Sequence, residues 1–350
     1  MAKKSSPTSL TAIAILFVTA TSVKALLSLW HICTTSAPDF AFYYGQTKTL
    51  LPPPSTLLFL PLRILPFSVM QCIWVVLSFI LLIDSIRRLC IRLGMASPLP
   101  IAVMSSFAFL FFPTQFTLGM GQVNLIALWL LIVGSDYLDM HSWWGSVFFS
   151  MAILLKPELV LFLIPLVIRS RWKEILWVTL IGAVFSNVAL FLWGNSIYTS
   201  YLQTFQSAFS SASGFSIYYN QSLTGLFSRA GIHSPLMYLG LVLSILSLFI
   251  SKIQNKKLLL SHALWYFIPV FLLIEPIAWQ HHFVFLIPTF LIVLTKVKTP
   301  FQKLLLFCSY ALIGWNFVHP EILATMPLGW LVLSHVTIGT GILLGLILHL

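Results

Sequence analysis

Apolar runs at residues 10–30, 69–86, 99–113, 123–137, 144–155, 159–168, 175–193, 235–251, 258–274, 283–294, 304–317 and 328–348 alternate with short polar breaks. In lipid a backbone must satisfy its own polar groups, so runs of this kind predict about twelve membrane helices. Several fall short of the roughly 20 residues a spanning helix needs, so some are expected to be kinked, tilted or re-entrant. The predicted fold class is all-α: a polytopic membrane bundle in which residues 1–350 form one integral membrane domain. No soluble domain or repeat of fixed period is visible.

Composition agrees. The chain is 59% hydrophobic and 8% charged, with mean hydropathy +0.98, whereas a soluble domain carries about 25% charged residues. Cys33, Cys72, Cys90 and Cys308 show no CxxC spacing and predict neither a disulfide framework nor a zinc site. In a soluble protein the net charge of +11 would point to nucleic acid. Here its distribution has a topological reading, and no nucleic-acid partner is expected.

With the N-terminus inside, alternate breaks collect Lys3, Lys4, Arg87, Arg88, Arg92, Arg169, Arg171, Lys173, Lys252, Lys256, Lys257, Lys296, Lys298 and Lys303, which are 14 of the 19 basic residues. Lys48, Arg63, Lys156 and Arg229 fall outside, and Lys24 lies within the first run. This is the bias of the positive-inside rule, and it predicts a multi-pass protein of the plasma (inner) membrane with a cytoplasmic N-terminus. Lys3 and Lys4 before an apolar stretch, with Val18-Thr-Ala20 as a cleavage site, also have the pattern of a signal peptide. Continuation of the run to residue 30 favours an uncleaved first helix.

Polar chemistry gathers in the outer breaks. The first outer loop, residues 31–68, carries Asp39, Tyr43, Tyr44 and Gln46. Later breaks carry Gly121-Gln-Val-Asn124, Lys156-Pro-Glu158, Tyr218-Tyr-Asn-Gln-Ser222 with Arg229, Glu275-Pro-Ile-Ala-Trp-Gln-His-His282, and His319-Pro-Glu321. Six clusters on one side imply a shared site there. The longest polar break, residues 194–234 with its Ser-rich stretch 207–216, is the candidate lid. Asp39 is one of only 8 acidic residues and is the candidate general base. Lys156, Arg229, His281 and His282 suit an anionic ligand, since a lipid phosphate would pair cations that are otherwise costly at the membrane edge.

Blander readings stand beside these. Helix ends need caps, and Asn, Gln, His and Pro serve there, which would account for Asn124 or Gln46 taken singly. Lys156 could pair with Glu158 or snorkel to the interface, and Arg63 could be an interfacial anchor. Tyr43, Tyr44 and Trp279 suit a sugar platform and equally an aromatic belt. Two adjacent histidines without a carboxylate at ligand spacing make a weak metal signal, and neither a metal nor a cofactor is expected.

The order of Asp39 with Tyr43-Tyr44, Leu50-Leu-Pro-Pro-Pro54 with Pro61-Leu-Arg-Ile-Leu-Pro66, Gly121-Gln-Val-Asn124, Lys156-Pro157, Asn220-Gln-Ser222 and Pro276-Ile-Ala-Trp-Gln-His-His282 resembles glycosyltransferase family 87, of the GT-C superfamily. The resemblance runs over residues 39–282. It implies a GT-C-like bundle with its active site at the outer membrane face. The implied activity is transfer of a hexose, by default mannose, from a polyprenyl-phosphate-linked donor to a lipid or glycan acceptor. It also implies that Asp39 is the base and that Lys156, His281 and His282 meet the donor phosphate or sugar. Glu275 departs from the small residue expected before the Pro-x-x-Trp segment, which bears on the acceptor.

Inverting transfer from a lipid phosphate needs one base for the acceptor hydroxyl and cations for the departing phosphate. Asp39 supplies the first; Lys156, His281 and His282, with Arg229, supply the second. Gln122, Asn124 and Asn220, with the aromatic residues Tyr43, Tyr44 and Trp279, complete the expected donor site. A transporter or flippase is the alternative, but its site would lie near the bilayer midplane. A scaffold protein would not need Asp39. In a secretory-pathway protein Asn220-Gln-Ser222 would be a glycosylation sequon. No P-loop is present.

Overall fold

The computed structural model describes residues 9–45, 51–140, 143–210, 215–254 and 258–350. Lys3, Lys4, Lys48, Lys256 and Lys257 of the charge pattern, Gln46 of the first loop and residues 211–214 of the Ser-rich stretch lie outside them. The described elements are helical, in keeping with the predicted class. In chain order they are α1 (Ser9–Thr34), α2 (Pro38–Gly45), α3 (Pro53–Phe59), α4 (Phe67–Arg92), α5 (Pro98–Leu110), α6 (Phe112–Met120) and α7 (Asn124–Asp139). There follow α8 (Trp144–Leu155), α9 (Leu163–Ile168), α10 (Trp172–Trp193), α11 (Asn195–Ser210), α12 (Leu223–Arg229) and α13 (Pro235–Ile253). The last are α14 (Leu260–Ile274), α15 (Ile287–Lys296), α16 (Pro300–Gly314), α17 (Pro320–Ala324), α18 (Gly329–Val332) and α19 (His335–His349). Tight 3-10 turns cover Leu60–Ile64, Pro157–Phe162 and Gln280–Leu286.

Among the described residues α1, α4, α10 and α13 are long and apolar enough to cross a membrane, and the pair α5–α6, bent by 67°, makes a fifth if taken as one span. The remaining apolar helices have 10–17 residues. The apolar runs that hold these shorter helices are broken by tight turns or prolines, so each helix falls short of a full span by length. The helix α14 is one of these. It is apolar around its whole circumference and nearly all of it is buried, as expected of a helix at the centre of a bundle.

Two ends of this bundle differ in chemistry. At one, Arg92 joins three helices, bonding Asp136 and Asp139 of α7 and Ser261 of α14. Arg87 and Arg88 hold Asp84, which also accepts from the Trp129 indole at 2.8 Å. Nearby, Arg171 holds Glu174, and Arg169 donates to the carbonyls of Ile253 and Leu258. The breaks after α4, α7, α9 and α13 therefore meet at a basic end whose four acids are all paired. The breaks carrying Asp39, Gln122, Lys156 and His282 meet at the other.

The candidate lid is built differently from the expected loop. Residues 194–234 contain α11 and α12, and Asn220, Gln221 and Ser222 are fully buried. Serine, tyrosine and glutamine lower the hydropathy of α11 without preventing a helix. The cysteine expectation also needs correction, because Cys33 at the end of α1 bonds Cys72 in α4. Their separation of 39 residues matches no local motif, so only the packing of the two helices brings them together.

Candidate active site

The first loop is folded tightly before any functional group is placed. Buried Gln71 accepts from the Ala37 amide at 3.0 Å and donates to the carbonyls of Ile32 and Thr35. That clamp fixes the start of α2 against α4. Phe40 then packs between Phe67 and Trp74, and Tyr43 stacks on Phe59 with ring centroids 4.7 Å apart. Arg63 ends the helix by donating to the carbonyls of Tyr44 and Gly45. Tyr44 donates its hydroxyl to the Leu65 carbonyl and lies against Phe67, so it serves the same packing.

Asp39 projects from the first turn of α2. Its Oδ2 accepts from Gln122 Nε2 at 2.6 Å, and Gln122 Oε1 accepts from the Tyr43 hydroxyl at 2.6 Å. Partial burial raises the Asp39 pKa; the Gln122 hydrogen bond and the positive charge of Lys156 oppose that rise. Gln122 is itself positioned by Gly121, which ends α6 at φ 68° and whose carbonyl accepts from the Trp74 indole at 2.9 Å. A Cβ at Gly121 would lie 2.6 Å from Phe40 Cβ. Gly121→Ala therefore forces α2 and Gln122 apart in addition to straining the left-handed backbone. A misplacement near 1 Å costs about 10²-fold in catalysis. We expect a transfer loss of that order in Gly121→Ala membranes at equal protein abundance.

A largely buried cluster of four groups lies within the electrostatic reach of Asp39. Lys156 ends α8, and its Nζ lies 3.1 Å from His282 Nε2 and 2.5 Å from Glu158 Oε1. His282 Nδ1 is 3.5 Å from Glu275 Oε2, too far for a hydrogen bond. With Nε2 accepting from the ammonium, Nδ1 carries the ring proton and faces Glu275. Burial, then the negative charge of Glu158, holds Glu275 well above the usual carboxylate range. Glu158, Glu275 and His282 could also hold a metal ion, since their ligand atoms lie within 4.8 Å of one another. The ammonium of Lys156 competes for that space.

His281 is held through its backbone. Thr117 Oγ1 at 3.2 Å and Asn124 Nδ2 at 3.0 Å both donate to its carbonyl, and Phe116 meets its ring edgewise. The ring nitrogen His281 Nδ1 is buried with no hydrogen-bond partner, as are His282 Nδ1 and Glu275 Oε2. Buried polar atoms of this kind require a partner, and a ligand oxygen would supply one.

Other expected site residues are used in building the scaffold. The fully buried Asn124 serves the His281 carbonyl. Asn220 donates to the carbonyls of Phe215 and Pro276 and accepts from the amides of Ser222 and Ala278. Its bridge to Trp279 locks the segment before His281 in place. Arg229 bonds Ser334 and the carbonyls of Ile217 and Asn220, so it braces that same segment. His319 and Glu321 pair with each other, both about two-thirds exposed, outside the enclosed cluster. The six sequence clusters thus reduce to a buried site formed by the first, second, third and fifth, with the fourth as its support.

Sequence reasoning passed over Gln71, Trp74 and Thr117, which lie in apolar runs or beside them. Their sole signal was polarity where a lipid-facing helix would have none. The ion pair of Lys156 with Glu158 is the blander reading given above and is present, whereas the approach of Glu275 to His282 had no signal in the sequence. The family model described as glycosyltransferase family 87 matches residues 50–276. That span includes Lys156, Glu158 and Glu275, begins after Asp39 and ends before His281. No curated protein and no solved structure matches the chain.

Proposed function

The chain belongs to glycosyltransferase family 87, a membrane glycosyltransferase, and from that premise we propose that it moves a hexose, with mannose the first choice, from a polyprenyl-phosphate-linked donor to a lipid or glycan acceptor. Asp39 takes the proton of the acceptor hydroxyl as that oxygen bonds to the anomeric carbon. The bond from this carbon to the donor phosphate breaks with inversion, and the phosphate leaves as a polyprenyl phosphate. Lys156 stabilises the phosphate charge, and the ring nitrogens of His281 and His282 contribute hydrogen bonds to phosphate or sugar. The observation carrying this reading is the placement of a lightly restrained carboxylate within the electrostatic reach of a buried lysine. Asn220, Trp279 and Arg229 position the histidine segment, while Gln122 and Tyr43 orient the base.

The site is assigned to the outer face of the plasma membrane. Support comes from the basic end opposite and from the disulfide between Cys33 and Cys72 beside the Asp39 loop, since such bonds persist in oxidising compartments. In a Cys308→Ser background, Val318→Cys in intact cells is expected to react with an impermeant maleimide, and Lys298→Cys only after permeabilisation. The reverse pattern would invert the topology.

Membranes containing the chain are expected to transfer labelled mannose from polyprenyl-phosphate-mannose, with or without EDTA, and membranes lacking it are not. Transfer from another lipid-linked sugar alone would change the sugar and keep the mechanism. Loss of transfer in EDTA, restored by a divalent ion, would assign Glu158, Glu275 and His282 to a metal.

A further inference from the structure

A second concave surface lies away from the transfer site. Helices α4, α5, α15 and α16 enclose a cavity of about 290 Å³, lined by Phe107, Phe111, Phe290, Leu291 and Phe307 among other apolar residues. Two of its lining residues have polar ends. Tyr310 spends its hydroxyl on the Phe107 carbonyl at 2.7 Å. Lys303, in the first turn of α16, is exposed and has no carboxylate partner among the described residues. Lys298, in the connection just before α16, is likewise exposed and unpaired with an acid. Arg87, Arg88, Arg92 and Arg171 on the same end are all paired with acids, and Arg169 is held by backbone carbonyls, whereas Lys303 lines the slot with no acid beside it.

We propose that this cavity binds one acyl chain of a membrane phospholipid whose anionic headgroup sits on Lys303, with Lys298 adding charge. The cavity's open side is marked by the rings of Phe107 and Phe307, which are 44% and 67% exposed where lipid would surround them. An apolar slot beneath an uncompensated cation matches a lipid that has an apolar tail and a negative head. The slot runs from the first turn of α16 to Phe111, and this order places the headgroup at the basic end. A donor held at Lys156 would place its phosphate at the opposite end, which distinguishes the two lipids. Phe111 also marks the break between α5 and α6, and its ring stacks on Tyr310 at 5.1 Å. Since α6 carries Thr117, which holds His281, a chain in the slot supports the helix that positions the site.

The test uses the full chain in detergent with equal amounts of phosphatidylglycerol and phosphatidylcholine of matched chains, and reads bound lipid by native mass spectrometry. Each lysine near a headgroup favours the anionic lipid by about fivefold, so the wild-type chain is expected to retain phosphatidylglycerol by at least about that ratio. Lys303→Glu, an exposed change, is expected to abolish the preference, and Lys303→Arg to keep it. Met104→Trp, which fills the slot, is expected to reduce retention of both lipids. Equal retention by the wild type, or an unchanged preference in Lys303→Glu, would overturn the proposal. So would displacement of phosphatidylglycerol by added polyprenyl phosphate, which would assign the slot to the donor chain.

Discussion

Replacing Asp39 with Asn is expected to lower transfer by about 10²–10⁴-fold, the usual contribution of a positioned base, while folded abundance is unchanged or higher. The reason for the second half is electrostatic. Burial raises the pKa of Asp39 more than Gln122 and Lys156 lower it, so ionising this side chain costs the folded state free energy. A carboxyl whose folded pKa is raised contributes stability that is present below its unfolded pKa and lost as pH rises through the folded value. Activity runs the opposite way, because the base works only when deprotonated. Transfer should therefore fall on acidification at a pH above the ordinary aspartate range, while the melting temperature in detergent does not fall with it. Asn removes the charge and can still bond Gln122. Near-normal transfer by Asp39→Asn would remove the base assignment, and a lower melting temperature would remove the account of its cost.

Lys156→Met is expected to damage both activity and stability, and a second substitution separates the two. Removing the ammonium leaves Glu158 without the partner it has at 2.5 Å and His282 without its donor. Breaking a largely buried ion pair from one side costs about 3 kcal/mol, and losing a cation that stabilises developing charge costs about 10²-fold in rate. Adding Glu158→Gln removes the stranded carboxylate. The double variant is expected to regain most of the thermal stability and none of the transfer. Recovery of transfer along with stability would make Lys156 a structural residue alone. Lys156→Arg is not expected to substitute, since a planar guanidinium does not fit between Glu158 and His282 as a compact ammonium does.

How legible this site was depended on how rare each group is. Asp39 and Lys156 stand out because few charges occur on their end of a chain that is 8% charged. Asn124 and Asn220 looked like ligand contacts because their acceptors are remote: Asn124 reaches a carbonyl 157 residues away, and Asn220 one 56 residues away. No local pattern encodes such bonds. The all-helical class followed from apolar runs, whereas the number of full spans turns on helix length: α14 has 15 residues, short of the roughly 20 a spanning helix needs. The Cys33–Cys72 bond was invisible for the same reason as the asparagine contacts: it depends on which helices become neighbours.

The arginine node at the basic end bears on how the chain is made. Asp136 and Asp139 stand 44 and 47 residues after Arg92, so the ribosome releases the cation well before either acid. While α4 is being threaded, Arg92 is unpaired and Arg87 and Arg88 share only Asp84 between them, and this uncompensated charge is what membrane insertion responds to. In the orientation proposed above, Arg88 and Arg92 bias α4 during synthesis, and Asp136 and Asp139 arrive afterwards to pair with them. One set of arginines thus acts first as a sorting signal during synthesis and afterwards as the joint of the finished protein.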